Sequence, residues 1–172
     1  MPTESVATFI VGEVLLGQNN VVEGKTDGVT GSLAFIPGNL PSALIAPITI
    51  NATTLETDNE RRDRALQSFI LQTAEYPTIK FTPTAISGLP PTAPPNQPTQ
   101  FNILGEMQIR DVTRQVTFIA TAKWTDVDTV VGTAGGTIVY QDFGLTIPDV
   151  PSVASVDDEV ELVIDFIARA VR

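Results

Sequence analysis

Apolar residues in this 172-residue chain recur with a period of two, in short runs cut by Gly, Pro and Asn. A period of two belongs to extended backbone, whose successive side chains face opposite ways, so the pattern commits most of the chain to β-strands. The runs are VATFIVGEVLL (Val6 to Leu16), GSLAFI (Gly31 to Ile36), APITINATTL (Ala46 to Leu55), TIKFTPTAI (Thr78 to Ile86), QFNILGEMQIR (Gln100 to Arg110), RQVTFIATAKW (Arg114 to Trp124), GTAGGTIVY (Gly132 to Tyr140) and DEVELVIDFIARA (Asp158 to Ala170). Between most of them no helical pattern intervenes, which argues for an antiparallel sandwich or barrel over parallel βαβ units. A barrel of about eight strands encloses just enough space for side chains or for one small ligand.

At 42% hydrophobic residues, a single globular domain over residues 1–172 can bury a sizeable core. The chain has no Cys and no His, which excludes disulfides, thiol nucleophiles, His-dependent triads and Cys or His metal clusters; no cofactor and no metal is expected. Twenty acidic against 10 basic residues give a net charge of −10, which repels nucleic acid and anionic membrane alike. No segment approaches the ~20 apolar residues of a transmembrane helix, and MPTESVATF lacks the features of a signal peptide. The chain is therefore either cytoplasmic or a mature domain without its leader.

Two segments break the strand pattern. Residues 87–100, SGLPPTAPPNQPTQ, form an uncharged Pro-rich connection read as a stiff surface loop, with a ligand for a proline-reading domain as the sharper alternative. The other, TDNERRDRALQSFILQTAEYPTIKF (Thr57 to Phe81), is charged and helical in spacing. Asp58 or Asn59 can cap it, Leu66, Phe69 and Ile70 share one face, and Pro77 returns the chain to a strand. A short amphipathic helix closing one barrel end fits. Asp63 among Arg61, Arg62 and Arg64 is a candidate acid or base, but neighbouring arginines favour the ionised form and a bracing role.

In order along the chain, NERRDRALQS, YPTIKF, LGEMQIRDVTRQVTF, YQDFGL and DDEVELVIDF resemble the YceI-like family of polyisoprenoid-binding, lipocalin-like proteins. The family's motif residues fall on Arg62 and Asp63, Leu66 and Ser68, Tyr76 and Pro77, Asp111 to Arg114, and Asp142, Phe143 and Gly144. The resemblance implies an extended eight-stranded antiparallel β-barrel, all-β apart from one short helical insert, with an elongated apolar cavity for an isoprenoid or other long-chain lipid. It also implies an extracytoplasmic setting: periplasmic, secreted or at the cell envelope. Departures occur at Ala65, where a His is common, at Tyr140, where an Arg is common, in the first strand, which lacks a His, and between Ser68 and Tyr76, about one residue short. These imply a different or less anionic ligand.

Alternation makes Phe9, Val11, Leu33, Phe35, Ile48, Ile50, Ile79, Phe81, Phe101, Ile103, Met107, Phe118, Trp124, Leu162, Ile164 and Phe166 candidates for the inner face, with Leu66, Phe69 and Ile70 at the cavity entrance and Phe143 a further cavity candidate. The same pattern suits a filled core. Three functions stay open: a non-enzymatic carrier of an apolar lipid, a structural or protein-interaction module with a filled core, and a carboxylate enzyme using Asp157, Asp158, Glu159 or Glu161. The acidic cluster reads more simply as a solvated turn, and its spacing lacks the pattern of a calcium loop. Lipid binding without catalysis is the favoured reading. No nucleic-acid partner is expected, and a homodimer is left open.

Overall fold

A computed structural model describes residues 5–170. Twelve strands run in chain order: β1 (Val6–Leu15), β2 (Gln18–Thr26), β3 (Val29–Thr30), β4 (Leu33–Ile36), β5 (Asn39–Ile45), β6 (Ile48–Asn51), β7 (Thr78–Ser87), β8 (Thr99–Ile109), β9 (Val112–Asp126), β10 (Thr129–Val139), β11 (Val153–Val156) and β12 (Glu159–Arg169). Among the described residues one α-helix, α1 (Glu60–Ala65), lies between β6 and β7.

The main sheet is antiparallel and runs β1-β12-β10-β9-β8-β7-β6-β3, with β2 on the free edge of β1 and β11 beyond β12 on the other. β2 and β3 are one stretch of chain kinked at Asp27 and Gly28. β2 pairs with β1 and β3 with β6, so this stretch brings the two ends of the sheet together into a nearly closed barrel. The seam is thin: Val29 opposite Ile50, Thr30 opposite Thr49, a bond from Asn51 N to Gly28 O of 2.7 Å, and a bridge between Lys25 and Glu56. It satisfies edge groups that would otherwise be open to pairing with another chain.

One stave differs from the sequence expectation. Gly31 to Ile36 does not enter the barrel; as β4 it pairs only with β5, forming a separate two-stranded flap at one end. Its place is taken by Gln18 to Thr30, whose polar composition hid a strand. In β2 only Val22, Gly24 and Thr26 turn inward while the intervening residues face water.

Register stacks the inner face. Ile48 lies opposite Phe81 and Ile50 opposite Ile79, Phe81 opposite Met107, Ile103 opposite Phe118, and Phe9 opposite Leu162. The Phe81 and Phe118 rings meet edge to face at 4.9 Å between centroids, a favoured aromatic geometry. Other rings lie down on glycines of the next strand. Phe9 is paired with Gly24 and its ring fills the space a side chain there would need; Phe166 is paired with Gly132, where a Cβ would come within 2.6 Å of the ring. Glycine weakens a strand in isolation, and here it is the seat of an aromatic side chain.

The insert is locked at its start. Asn59 caps α1, its Oδ1 accepting from the Arg61 and Arg62 amides at 2.9 and 3.1 Å. Asp63 Oδ1 accepts from the Thr57 amide and hydroxyl at 2.8 and 2.6 Å. Asp63 therefore braces the loop leading into the helix, in place of the pairing with a neighbouring Arg that the sequence indicates. After Ala65 the helix widens into a π turn over Leu66–Ile70, closed by the Leu71 amide on Leu66 O at 2.8 Å. That bond spans five residues, so Ile70 and Leu71 sit over Leu66 and Phe69 is rotated off the face. Phe69 is 67% exposed, which corrects its expected place at the cavity entrance.

Gly132→Ala should lower stability by about 1–3 kcal/mol, because the new methyl meets both the Phe166 ring and the Thr121 carbonyl. Gly135→Ala, on the same strand with no atom nearer than 3.9 Å, should be neutral or slightly stabilising in urea denaturation. Asp63→Ala should cost about 1–2 kcal/mol, while Asp63→Asn keeps the Oδ1 acceptor and most of that stability. Equal losses for both would assign the brace to charge, not to the Thr57 hydrogen bonds.

Candidate functional site

Two apolar chambers lie along the barrel. The flap-end chamber has a volume of about 740 Å³ and is bounded by Phe35, Ile48, Phe101, Ile103, Trp124 and Phe166, with Leu33 and Ile45 from the flap. The helix-end chamber has a volume of about 460 Å³ and is bounded by Phe9, Val11, Ile50, Leu66, Ile70, Ile79, Phe81, Met107, Phe118 and Leu162. Both volumes fall in the ~300–1,000 Å³ range of small-molecule sites.

Ile164 lines both chambers. It is buried in a small cluster with Ala7 and Ile50, against which Ile48, Ile79 and Phe166 pack. Ile48 and Phe166 face the first chamber, Ile50 and Ile79 the second. The cluster is thus a waist between two stacked cavities. Strand period explains why it forms: Leu162, Ile164 and Phe166 share one face of β12 and step along the barrel axis from one chamber into the other.

At the flap end, the Pro-rich segment is a rim as well as a connection. Leu89 and Ala93 line the chamber, Pro91 O accepts from the Leu40 amide of β5 at 3.0 Å, and Ala93 O accepts from Trp124 Nε1 at 3.0 Å. These bonds tie the loop to the flap and satisfy the indole N–H of a side chain that borders the cavity.

The helix end is where polar groups meet the apolar wall. Glu13, only 8% exposed, borders the chamber with Asn59, Arg61 and Arg62. Arg62 Nη2 donates to Glu13 Oε1 at 3.2 Å and Nη1 to Asp58 Oδ1 at 2.7 Å; Asn20 Nδ2 donates to the same Glu13 oxygen at 3.0 Å. Burial of the Glu13 carboxylate is offset by this pairing, as an unpaired buried charge would be strongly destabilising. Arg62 thereby ties the helix to β1.

Most residues expected on the inner face border a chamber. Two do not. Phe69 points to solvent, and Phe143, 2% exposed, is packed into the core under the helical turn Tyr140–Phe143 without reaching either cavity. A turn of helix does not alternate, so Tyr140 and Leu145 border the chamber in its place. Asp142 is exposed in this turn, and Gly144 ends it at φ 70°, a left-handed position suited to glycine. Tyr76 lies outside both chambers under Arg110, 5.7 Å from guanidinium to ring centroid, and hydrogen bonding to Glu75 pushes its phenol above the ordinary value. Pro77 O accepts from the Ala52 amide at 2.9 Å, joining the exit of the insert to its entry. The sequence reading omitted Ala7, Leu15, Val22 and the segment Leu145 to Val156, where Ile147, Val150 and Val153 cover the helix end. The segment's signal was weak because Pro148, Asp149 and Pro151 interrupt any period, whereas Ala7 and Leu15 continue the alternation of Phe9 and Val11 and were within its reach.

Comparisons with known proteins agree with this architecture. Protein YceI of Escherichia coli O157:H7 is 32% identical over 91 residues, 52% of this chain and 43% of that protein, so the match spans under half the length of the relative. The crystal structure of Burkholderia cenocepacia BcnA superimposes with a TM-score of 0.75 at 17% identity, covering 98% of each chain. A polyisoprenoid binding domain from Saccharophagus degradans gives 0.78 at 13% identity, covering 99% of this chain and 96% of that one. The family model described as the YceI-like domain matches residues 1–168, and with that span the chain belongs to the YceI-like family.

Proposed function

We propose that the protein binds one long apolar chain, an isoprenoid or a fatty-acid derivative, lengthwise through both chambers, and stores or transports it without chemical change. The observation that carries this reading is the pair of apolar cavities meeting at Ile164. Burial supplies ~0.8 kcal/mol per CH₂, so a tail threading both cavities binds tightly with no reactive group in contact. The family and the polyisoprenoid-binding structural neighbour support the ligand class. An extracytoplasmic setting goes with this reading, as the family resemblance implies.

The polar pole at the helix end narrows the head group. Arg62 is already shared between Glu13 and Asp58, so the pole offers hydrogen-bonding partners without an uncommitted cation at Arg62. An anionic head would have to compete with Glu13 for Arg62 or turn to Arg61 at the chamber's border, whereas a neutral head such as a quinone, hydroxyl or amide needs neither. The absence of His at Ala65 and of Arg at Tyr140 points the same way.

Organic extraction of the natively purified protein followed by mass spectrometry should release a long-chain lipid. No extractable lipid, together with no saturable binding of isoprenoid quinones or fatty amides, overturns the reading. Ile164→Phe should narrow the waist, weakening a chain long enough to span both chambers by about tenfold or more, some 1.4 kcal/mol, while a short probe that fills one chamber keeps its affinity. Equal effects on long and short ligands in fluorescence titration would sink the lengthwise arrangement.

A further inference from the structure

We infer that the flap end of the barrel docks on the surface of a net-neutral lipid bilayer and that ligand enters and leaves there; the ligand-exchange part rests on the lipid-binding reading above. Three observations converge on this end. The first is charge. Between Asp27 and Glu56, and again between Lys80 and Glu106, the sequence has no charged residue, although the chain carries a net −10. Those two stretches supply the flap and the Pro-rich rim, and in the neighbouring strand ends Lys123 and Arg169 balance Asp126 and Asp128. The acidic excess lies elsewhere, with Asp58, Glu60, Asp142, Asp149, Asp157 and Asp158 at the helix end.

The second observation is apolar exposure. Ile36 and Leu44 on the flap are 59% and 71% exposed, and Val127 in the turn between β9 and β10 at the same end is 84% exposed. Scattered apolar residues are ordinary on protein surfaces, but here they lie about the larger cavity on a face where the charges of the described residues cancel. The helix end also exposes Leu16 and Val150, but among charged side chains whose desolvation opposes an approach to any bilayer, a neutral one included. The third is continuity: Phe35 faces the cavity from the strand whose end presents Ile36 outward, so lipid leaving the bilayer passes from one apolar surface to another. Trp124 at the rim, apolar in body with its N–H satisfied by Ala93 O, suits the bilayer interface. Docked this way, a lipid drawn from the bilayer enters head first and carries a neutral head through the waist toward Glu13 and Arg62.

The test uses the full chain with phosphatidylcholine vesicles and a fluorescent polyene as probe. Transfer of probe from protein to vesicles should accelerate with vesicle concentration. Ile36→Asp combined with Val127→Asp should slow transfer by roughly tenfold while leaving probe affinity and melting temperature unchanged. Leu16→Asp, at the opposite end on an exposed residue that borders neither chamber, should not slow it. Flotation of the ligand-free protein with the same vesicles, reduced by the first pair of substitutions and weaker with phosphatidylglycerol vesicles at low salt, reports docking even where no probe binds. A transfer rate independent of vesicle concentration, or unaffected by the flap substitutions, overturns the proposal. So does a dimer in sedimentation equilibrium that these substitutions dissociate, since a second copy would then cover the face. Failure of the probe to bind the unaltered protein, with flotation intact, counts against the lipid-binding reading and leaves docking standing.

Discussion

Aromatic rings that lie down on glycines keep this barrel open. A barrel of about eight strands has an interior that ordinary side chains can fill, so a continuous cavity requires the large residues to pack along the wall. Phe9 on Gly24 and Phe166 on Gly132 achieve this, and the Phe81 ring likewise lies in the space a Cβ at Gly105 would need. Each ring is held by the strand beside it and leaves the axis free. The volumes of about 740 and 460 Å³, and the waist at Ile164 where a branched side chain does project inward, follow from which staves carry a glycine seat.

The charged insert has a comparable economy. Its hydrogen bonds are local: Asn59 caps the first turn, Asp63 gathers the Thr57 amide and hydroxyl, and Pro77 O returns to Ala52. Among the described residues, Arg62 makes the insert's ion pair with a barrel strand, and it neutralises a carboxylate that borders an apolar chamber. The π turn then presents Leu66, Ile70 and Leu71 to the cavity. Charge fixes the insert in place and apolar residues shape its inner side, which accounts for both textures in one short stretch.

The two ends of the barrel are chemically distinct. One is charged, closed by the insert and by the segment Leu145 to Val156, and carries the polar pole. The other is uncharged over long stretches and framed by a flap and a proline-rich rim hydrogen-bonded to each other. Such polarity suits a container that takes a molecule with one polar and one apolar end, because each end of the ligand meets its own kind of surface.

The sequence by itself determined the class of fold and most of the inner face, because alternation is a local property that survives into any antiparallel sheet. Phe81, Ile103, Met107 and Phe118 were legible from period alone, and so was the insert with its cap. Tertiary structure decided what a local pattern cannot carry. Gln18 to Thr30 became a stave because its backbone was needed to join β1 to β6, although its side chains are mostly polar; Gly31 to Ile36, more apolar, became a flap. Phe69 was lost from the cavity to one wider turn of helix, and Phe143 to a turn that does not alternate. Whether the interior was filled or hollow depended on which Phe met which Gly across the strands, and register between strands is set by the whole sheet closing, not by either strand alone.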